Sequence, residues 1–337
     1  MRKILSFTAF LAGASLFAAP VAAQTPLRVG YIPVLGTAQI FIAEQQGWLK
    51  EAGLDVKFTT FESGPNMISA LASGTLDVYV AGVAPLAVAR SKGVDVKVVA
   101  STAIDEMTVI VGGKLAEGFK PGVNTAQVFK DFKAANGKPA RLATQPPGSV
   151  PHTTLNHWLY EVSKVEKSDV EVISMGIDAT QQALLAGAVD GSTLREPAVT
   201  VSLQRDPKLK LVALGGQMFP NQPGTVVGVS GAFLAKNPDS VQKLVDAIVK
   251  ATALIKSDPK TASVAVEKAL GKGLVDNATF LKALTSPAST FVADPLAITE
   301  STKAMQTYQV KIGTLDKEIP LDGLFDGAFY AKATAKK

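Results

Sequence analysis

Short apolar runs alternate with stretches of helical spacing over most of the chain. Residues 27–32 (Leu-Arg-Val-Gly-Tyr-Ile) form a β-branched and aromatic run closed by Pro33 and Gly36, which predicts a buried strand. Residues 39–50 carry Ile40, Phe41, Ala43 and Trp48 at helical spacing, with Gly53 as a stop. Residues 54–61 alternate and predict a second strand, after which Ser63-Gly64-Pro65-Asn66 opens a helix that ends at Gly74. A strand over 77–81, a helix over 84–92 and a strand over 96–100 follow. After a break at 102–106 comes a strand over 107–111, then a stretch to Pro139 rich in glycine, lysine and proline.

The pattern then restarts. Strands are predicted at 141–143, 170–174, 191–194, 209–214 and 225–231, and helices at 150–162, 179–186 and from Pro197. From Phe233 onward the chain reads as mainly helical. Ala70-Leu71-x-x-Gly74-x-x-Asp77 recurs as Ala183-Leu184-x-x-Gly187-x-x-Asp190, each copy ending a helix at glycine and starting a strand at aspartate. A proline, Pro85 or Pro197, follows each of those strands where the next helix begins. Strand–helix alternation that restarts in this way predicts two similar α/β lobes, each a parallel sheet with helices on both faces.

Composition narrows the chemistry. The 337 residues include no cysteine and 2 histidines, which removes disulfides, thiolate metal sites and a cysteine nucleophile. Met1-Arg2-Lys3, an apolar stretch over 4–19 and the small residues Val21-Ala22-Ala23 read as a signal peptide cleaved near Ala23. That stretch is short of the roughly 20 residues a membrane-spanning helix needs. Loss of Arg2 and Lys3 takes Lys plus Arg from 34 to 32 against 29 Asp plus Glu, so the net charge falls from +5 to +3. The lysines are scattered, with no concentrated basic face for nucleic acid. No Gly-x-Ser-x-Gly elbow, His-Glu-x-x-His or phosphate loop occurs, and whether the pair Asp105-Glu106 converges on anything is open.

Ligands of open α/β sheets sit beyond the carboxyl ends of the strands. Four turns there place small or hydroxyl residues at helix starts, whose free N–H groups favour an anion. They are 33–39 with Leu35, Gly36, Thr37 and Gln39; 63–66 with Ser63, Gly64 and Asn66; 82–85 with Val83 and Ala84; and 144–152 with Gly148, Ser149 and His152. Ser63 and Ser149 either cap their own helices, worth about 1 kcal/mol each, or help hold a ligand. The His152 ring either faces the cleft or packs locally. Arg195, followed by Glu196 and Pro197, either forks onto a carboxylate or sulfonate or pairs with an acidic neighbour. His157 fits a surface or half-buried place, and its spacing from His152 does not stack the two rings for a metal.

Several segments follow one another in a familiar order: Gly30-Tyr31-Ile32-Pro33, then Ala43…Gly47-Trp48-Leu49…Gly53-Leu54-Asp55-Val56, then Ala70-Leu71-Ala72-Ser73-Gly74-Thr75-Leu76-Asp77 and Gly93-Val94. Pro147-Gly148-Ser149…His152 and Ala183-Leu184…Gly187…Asp190…Glu196-Pro197 continue it. Over residues 25–331 this succession resembles the periplasmic substrate-binding proteins of ABC importers in the nitrate, sulfonate and taurine group. These are type II binding proteins related to the thiamine-pyrimidine-precursor fold. The resemblance implies an α/β protein of two lobes, with parallel-rich sheets flanked by helices and two crossover hinge strands near 101–106 and 213–224. It implies lobe 1 over 25–102 plus 220–337 and lobe 2 over 103–219. The ligand would lie among the four turns and Arg195-Glu196. The expected function is a monomeric periplasmic receptor that captures a small organic anion and delivers it to an ABC permease, with no cofactor, metal or nucleic acid. The alternatives are a pyrimidine-precursor enzyme on the same fold, whose relatives carry a cysteine-rich stretch absent here, and a sensory receptor.

Overall fold

The computed structural model describes residues 24–271 and 273–335. The leader expected over 1–23 lies outside them. Among the described residues twelve strands form two five-stranded sheets and one two-stranded ribbon. Strands β1 (Thr25–Tyr31), β2 (Leu54–Thr60), β3 (Val78–Gly82) and β4 (Val96–Ser101) belong to the first sheet. The short β5 (Ala103–Ile104) leads out of it to β6 (Thr108–Val111), β7 (Ala140–Thr144), β8 (Val170–Ser174), β9 (Gly191–Leu194) and β10 (Lys210–Leu214) of the second sheet. The chain returns with β11 (Thr225–Ser230), and β12 (Thr290–Phe291) pairs with β5. The orders are β2-β1-β3-β11-β4 and β10-β6-β9-β7-β8.

The sheets are parallel-rich rather than wholly parallel. β11 runs antiparallel to both β3 and β4, and β6 runs antiparallel to β9 and β10. β11 and β6 are the strands that arrive from, or leave for, the other sheet, so they enter without the crossover helix that forces a parallel direction.

The repeated Ala-Leu-x-x-Gly-x-x-Asp segment is a register lock. Gly74 and Gly187 take φ of +71° and +66°, ending their helices in the left-handed region. Asp77 N donates to Arg28 O at 2.9 Å while Arg28 N donates to Asp77 Oδ2 at 2.9 Å. Asp190 N and Arg141 N make the same reciprocal pair with Arg141 O and Asp190 Oδ2, both at 2.8 Å. The two arginine–aspartate spacings are both 49 residues.

Three helical expectations need correction. The helix expected over 39–50 is two, Ala38–Gln45 and Trp48–Glu51, separated at Gly47 with φ +78°. The helix expected over 150–162 is α-helical over Val150–His157 and widens to a π-helix over Trp158–Val162. The glycine- and lysine-rich stretch before Pro139 holds helices Gly113–Gly118 and Thr125–Asn136. The second is capped by Asn124, ended by Gly137 at φ +70°, and buries Val128, Phe129 and Phe132 on one face.

Outside the first sheet lies the helix Pro238–Ser257. Its Val241, Leu244, Val245 and Ile248 pack with Leu27, Val29, Val78 and Val227 of β1, β3 and β11. Each such fully buried side chain contributes about 1.5–3 kcal/mol. Helix Thr299–Lys311 spans the two halves: Gln309 Nε2 donates to Gly148 O at 3.4 Å and Lys311 pairs with Glu161 at 2.6 Å. No helix among the described residues is long and apolar enough to cross a membrane.

Candidate functional site

The predicted turns meet where the two sheets face one another. Leu35 N donates to Glu196 O at 2.8 Å, and Ile177 N to Glu62 O at 3.3 Å, so turns of opposite halves are joined through their backbones. A Cβ on Gly82 would lie 2.7 Å from Val150 Cγ2, which shows how closely the third turn approaches the fourth.

Between the halves lies a cavity of about 290 Å³. Its polar wall includes Gln145, Thr193 and Arg195, and its apolar wall Pro33, Val34 and Met107. The Arg195 side chain is 2% exposed. Its Nη1 lies 3.4 Å from Glu106 Oε1 and its Nη2 3.4 Å from Gln145 Oε1. Both contacts are longer than a closed charge-assisted hydrogen bond of about 2.7–2.9 Å. A buried guanidinium with long contacts, on the wall of a cavity of small-molecule size, can donate to an anion's oxygens.

The other predicted residues take mostly supporting places. Leu35, Gly36 and Glu196 border a separate void of about 10 Å³, with Glu106 and Ser289. Thr37 Oγ1 donates to Val34 O at 2.7 Å, and Gln39 Nε2 to Thr102 O at 2.7 Å, so both hold backbone rather than face the cavity. Ser63 Oγ accepts from Asn66 N at 3.4 Å and Ser149 Oγ from His152 N at 3.3 Å; both are buried caps. Gly64 is buried and Asn66 exposed. Val83 N donates to Gly224 O at 3.0 Å, and Val83 and Ala84 are buried. Gly148, at φ +81°, lets the chain turn into the helix that Ser149 caps.

His152 is half-buried. Its Nδ1 is enclosed without a hydrogen-bond partner, and burial pushes its pKa below the ordinary value, which favours the neutral ring. His157 is half-buried too, with Nδ1 2.7 Å from Met218 O and its ring against Phe219 and Tyr308. Glu196 accepts from Thr200 N at 3.0 Å and Thr200 Oγ1 at 2.9 Å, capping the helix Ala198–Arg205; burial raises its pKa despite those bonds. Arg195 has an acidic partner, but it is Glu106, 89 residues away, rather than the adjacent Glu196.

Sequence reasoning did not single out Gln145, Thr193 or Met107. Gln145 follows β7, and Thr193 lies at the end of β9 on the face of Arg195 two residues on. The carboxyl-end rule, applied residue by residue, would have reached both. Among the described residues no group of three His, Asp or Glu side chains is placed to hold a metal.

Two α/β halves, linked by chain passing twice between parallel-rich sheets and enclosing one charged cavity, define the periplasmic binding protein fold. The nitrate-binding protein NrtA from Synechocystis PCC 6803 has it at TM-score 0.77 and 14% identity, over 93% of this chain and 89% of that one. The alkanesulfonate-binding protein SsuA from Xanthomonas axonopodis pv. citri, bound to MOPS, has it at 0.71 and 19%, over 90% and 99%. The chain belongs to the NMT1-like family, whose model matches residues 21–270. A Bacillus subtilis (strain 168) protein named for aliphatic sulfonate binding is 26% identical over 91% of this chain and 87% of its own length. The nitrate import ATP-binding protein NrtC of Synechococcus elongatus is 26% identical over 72% of this chain; the match spans 37% of that longer protein.

Proposed function

We propose that the chain is a non-catalytic solute receptor that captures a small organic anion, a sulfonate or carboxylate with a short apolar tail, for an ABC permease. The observation that carries this reading is the buried Arg195 guanidinium on the wall of the interlobe cavity, which Pro33, Val34 and Met107 also line. The buried Arg195 guanidinium and its neighbours Gln145 and Thr193 suit an anionic head, and the apolar lining suits a tail; Arg205 and Asp178 also border the cavity. Relatives named for sulfonate and nitrate binding support the same ligand chemistry. The periplasmic setting of NrtA supports export of this chain, with the leader cleaved near Ala23; in this reading the mature protein acts as a monomer.

In this reading residues 25–102 with 220–337 move against 103–219, bending at the two crossovers as the ligand is enclosed. Arg195 grips the head. Leu35, Gly36 and Glu196 join the halves beside it. Thr37, Gln39, Ser63, Gly64, Asn66, Val83, Ala84, Gly148, Ser149 and His152 set the turns that close around it. Titration calorimetry of the leaderless protein with ethanesulfonate, acetate and nitrate tests the reading. Ethanesulfonate binding that Arg195→Ala abolishes is the expected result. Failure to bind any of the three, or unchanged binding by Arg195→Ala, would discard it.

A further inference from the structure

Asp105 and Glu106 are adjacent in the chain and part in the fold. Asp105, at φ +52°, turns its carboxylate to the other crossover, where Oδ1 accepts from Gln222 N at 2.9 Å. Glu106 turns inward; its side chain is 4% exposed, and Oε1 accepts from Thr225 Oγ1 at 2.7 Å while facing Arg195 Nη1 at 3.4 Å. Two glycines leave it room. A Cβ on Gly36 would run into Oε2, and one on Gly224 would come within 2.9 Å of Oε1. Oε2 has no hydrogen-bond partner, and Glu106 lines the void of about 10 Å³ rather than the cavity. The carboxylate is thus pinned from the crossover side, whereas the guanidinium it faces lies on the cavity wall.

We propose that Glu106 is a built-in competitor for Arg195 that determines which anions the site accepts; this rests on the reading of the cavity as an anion site. A buried guanidinium needs a compensating charge, and in the free protein Glu106 supplies it. A ligand must draw Arg195 toward the cavity, away from a carboxylate that Thr225 and the glycine-lined nest keep from following. The same carboxylate repels every arriving anion. Weak acceptors therefore fail to displace it, and selectivity comes from what the site withholds as much as from what it offers. Glu106 acts on the ligand through Arg195 and is a positioning residue.

Calorimetry at fixed ionic strength with ethanesulfonate and acetate tests this on the wild type, Arg195→Ala, Glu106→Gln and Thr225→Val. Wild-type binding that Arg195→Ala abolishes establishes the anion site; without it that reading and this proposal both fall. Given that site, Glu106→Gln should bind ethanesulfonate about tenfold tighter and narrow its preference over acetate, because the anion becomes the only counter-charge to Arg195. Thr225→Val releases Oε1 to approach Arg195 and should weaken ethanesulfonate binding by about threefold. A merely structural role for Glu106 weakens binding in both variants. Unchanged or weaker binding by Glu106→Gln overturns the proposal with the anion site intact. If Glu106→Gln does not fold, Glu106→Asp, whose shorter side chain withdraws the carboxylate from Arg195, should also bind ethanesulfonate tighter, and unchanged or weaker binding overturns the proposal.

Discussion

In the half built on β1–β3, Asp77 locks onto Arg28; in the half built on β7–β9, Asp190 locks onto Arg141 at the same 49-residue spacing. Val29 stands opposite Val78 as Leu142 stands opposite Gly191, so the paired strands keep one register. The halves diverge at the strand ends. Four residues past each arginine stand Ile32 and Gln145. Three past each aspartate stand Val80 and Thr193, and five past stand Gly82 and Arg195. Gln145, Thr193 and Arg195 all line the cavity, whereas Ile32 and Val80 are buried apolar residues. At these matched positions one half places polar and charged side chains on the cavity wall, and the other places buried apolar residues and a glycine. A shared frame carries unlike chemistry because the locks lie at the start of the third strand and the cavity-lining positions near its end.

The comparison can be broken most severely at Gly82. A valine there collides with Val150, and overpacking of this kind costs about 1–3 kcal/mol. Gly82→Val should retain its circular dichroism spectrum and lose affinity for the probe anion by about tenfold or more, as read by calorimetry. The two locks should differ next. Asp77→Ala strips a bidentate side-chain pair from Arg28 as well as the cap on its N–H, and should lower stability to urea by about 2–3 kcal/mol. Asp190→Ala should cost about 1–2 kcal/mol, since Arg141 Nη1 already donates to Ala188 O at 2.9 Å. Equal losses would show that the backbone bonds alone set the register.

Ser149→Ala removes a local cap and should cost about 1 kcal/mol of stability. An affinity loss larger than that would place the hydroxyl against the ligand. The smallest effect concerns pH. Burial holds the His152 pKa below its unfolded value, so the folded state binds fewer protons. Its stabilising contribution is present above the unfolded pKa and is lost as pH falls through the window down to the folded one. His152→Gln should flatten the melting temperature against pH below about 6.5. An unchanged slope would assign the acid sensitivity to other groups.

Periodicity made the strands legible, because a run such as 27–32 is buried at every position but Arg28 and states its own conformation. The repeated glycine–aspartate segment was legible as a boundary, but its partners Arg28 and Arg141 were not, since the pairing spans 49 residues. The antiparallel entry of β11 between β3 and β4 was invisible for the same reason. Helix Thr125–Asn136 was masked by its flanks, although Val128, Phe129 and Phe132 give it an apolar face. At the site, the chain pointed to Arg195 and to helix starts, but most of those starts proved to be backbone joints and caps. The partner of Arg195 had to come from a crossover 89 residues away, and nothing local marks it.

The two crossovers are bound to one another. Asp105 N donates to Gln222 O at 3.0 Å, Thr102 N to Thr225 O at 2.9 Å, and Ile104 bridges Pro223. With Gln222 N on Asp105 Oδ1 and Met107 N on Gln222 Oε1, they make a single stiff ribbon rather than two loose cords. A ribbon bends readily about one axis and resists shear and twist. On the hinge proposed above, an occupant of the cavity would therefore drive a swing along a single coordinate. Side chains at the strand ends could then be exchanged without retuning that motion, and the permease proposed above would read it as a yes-or-no signal.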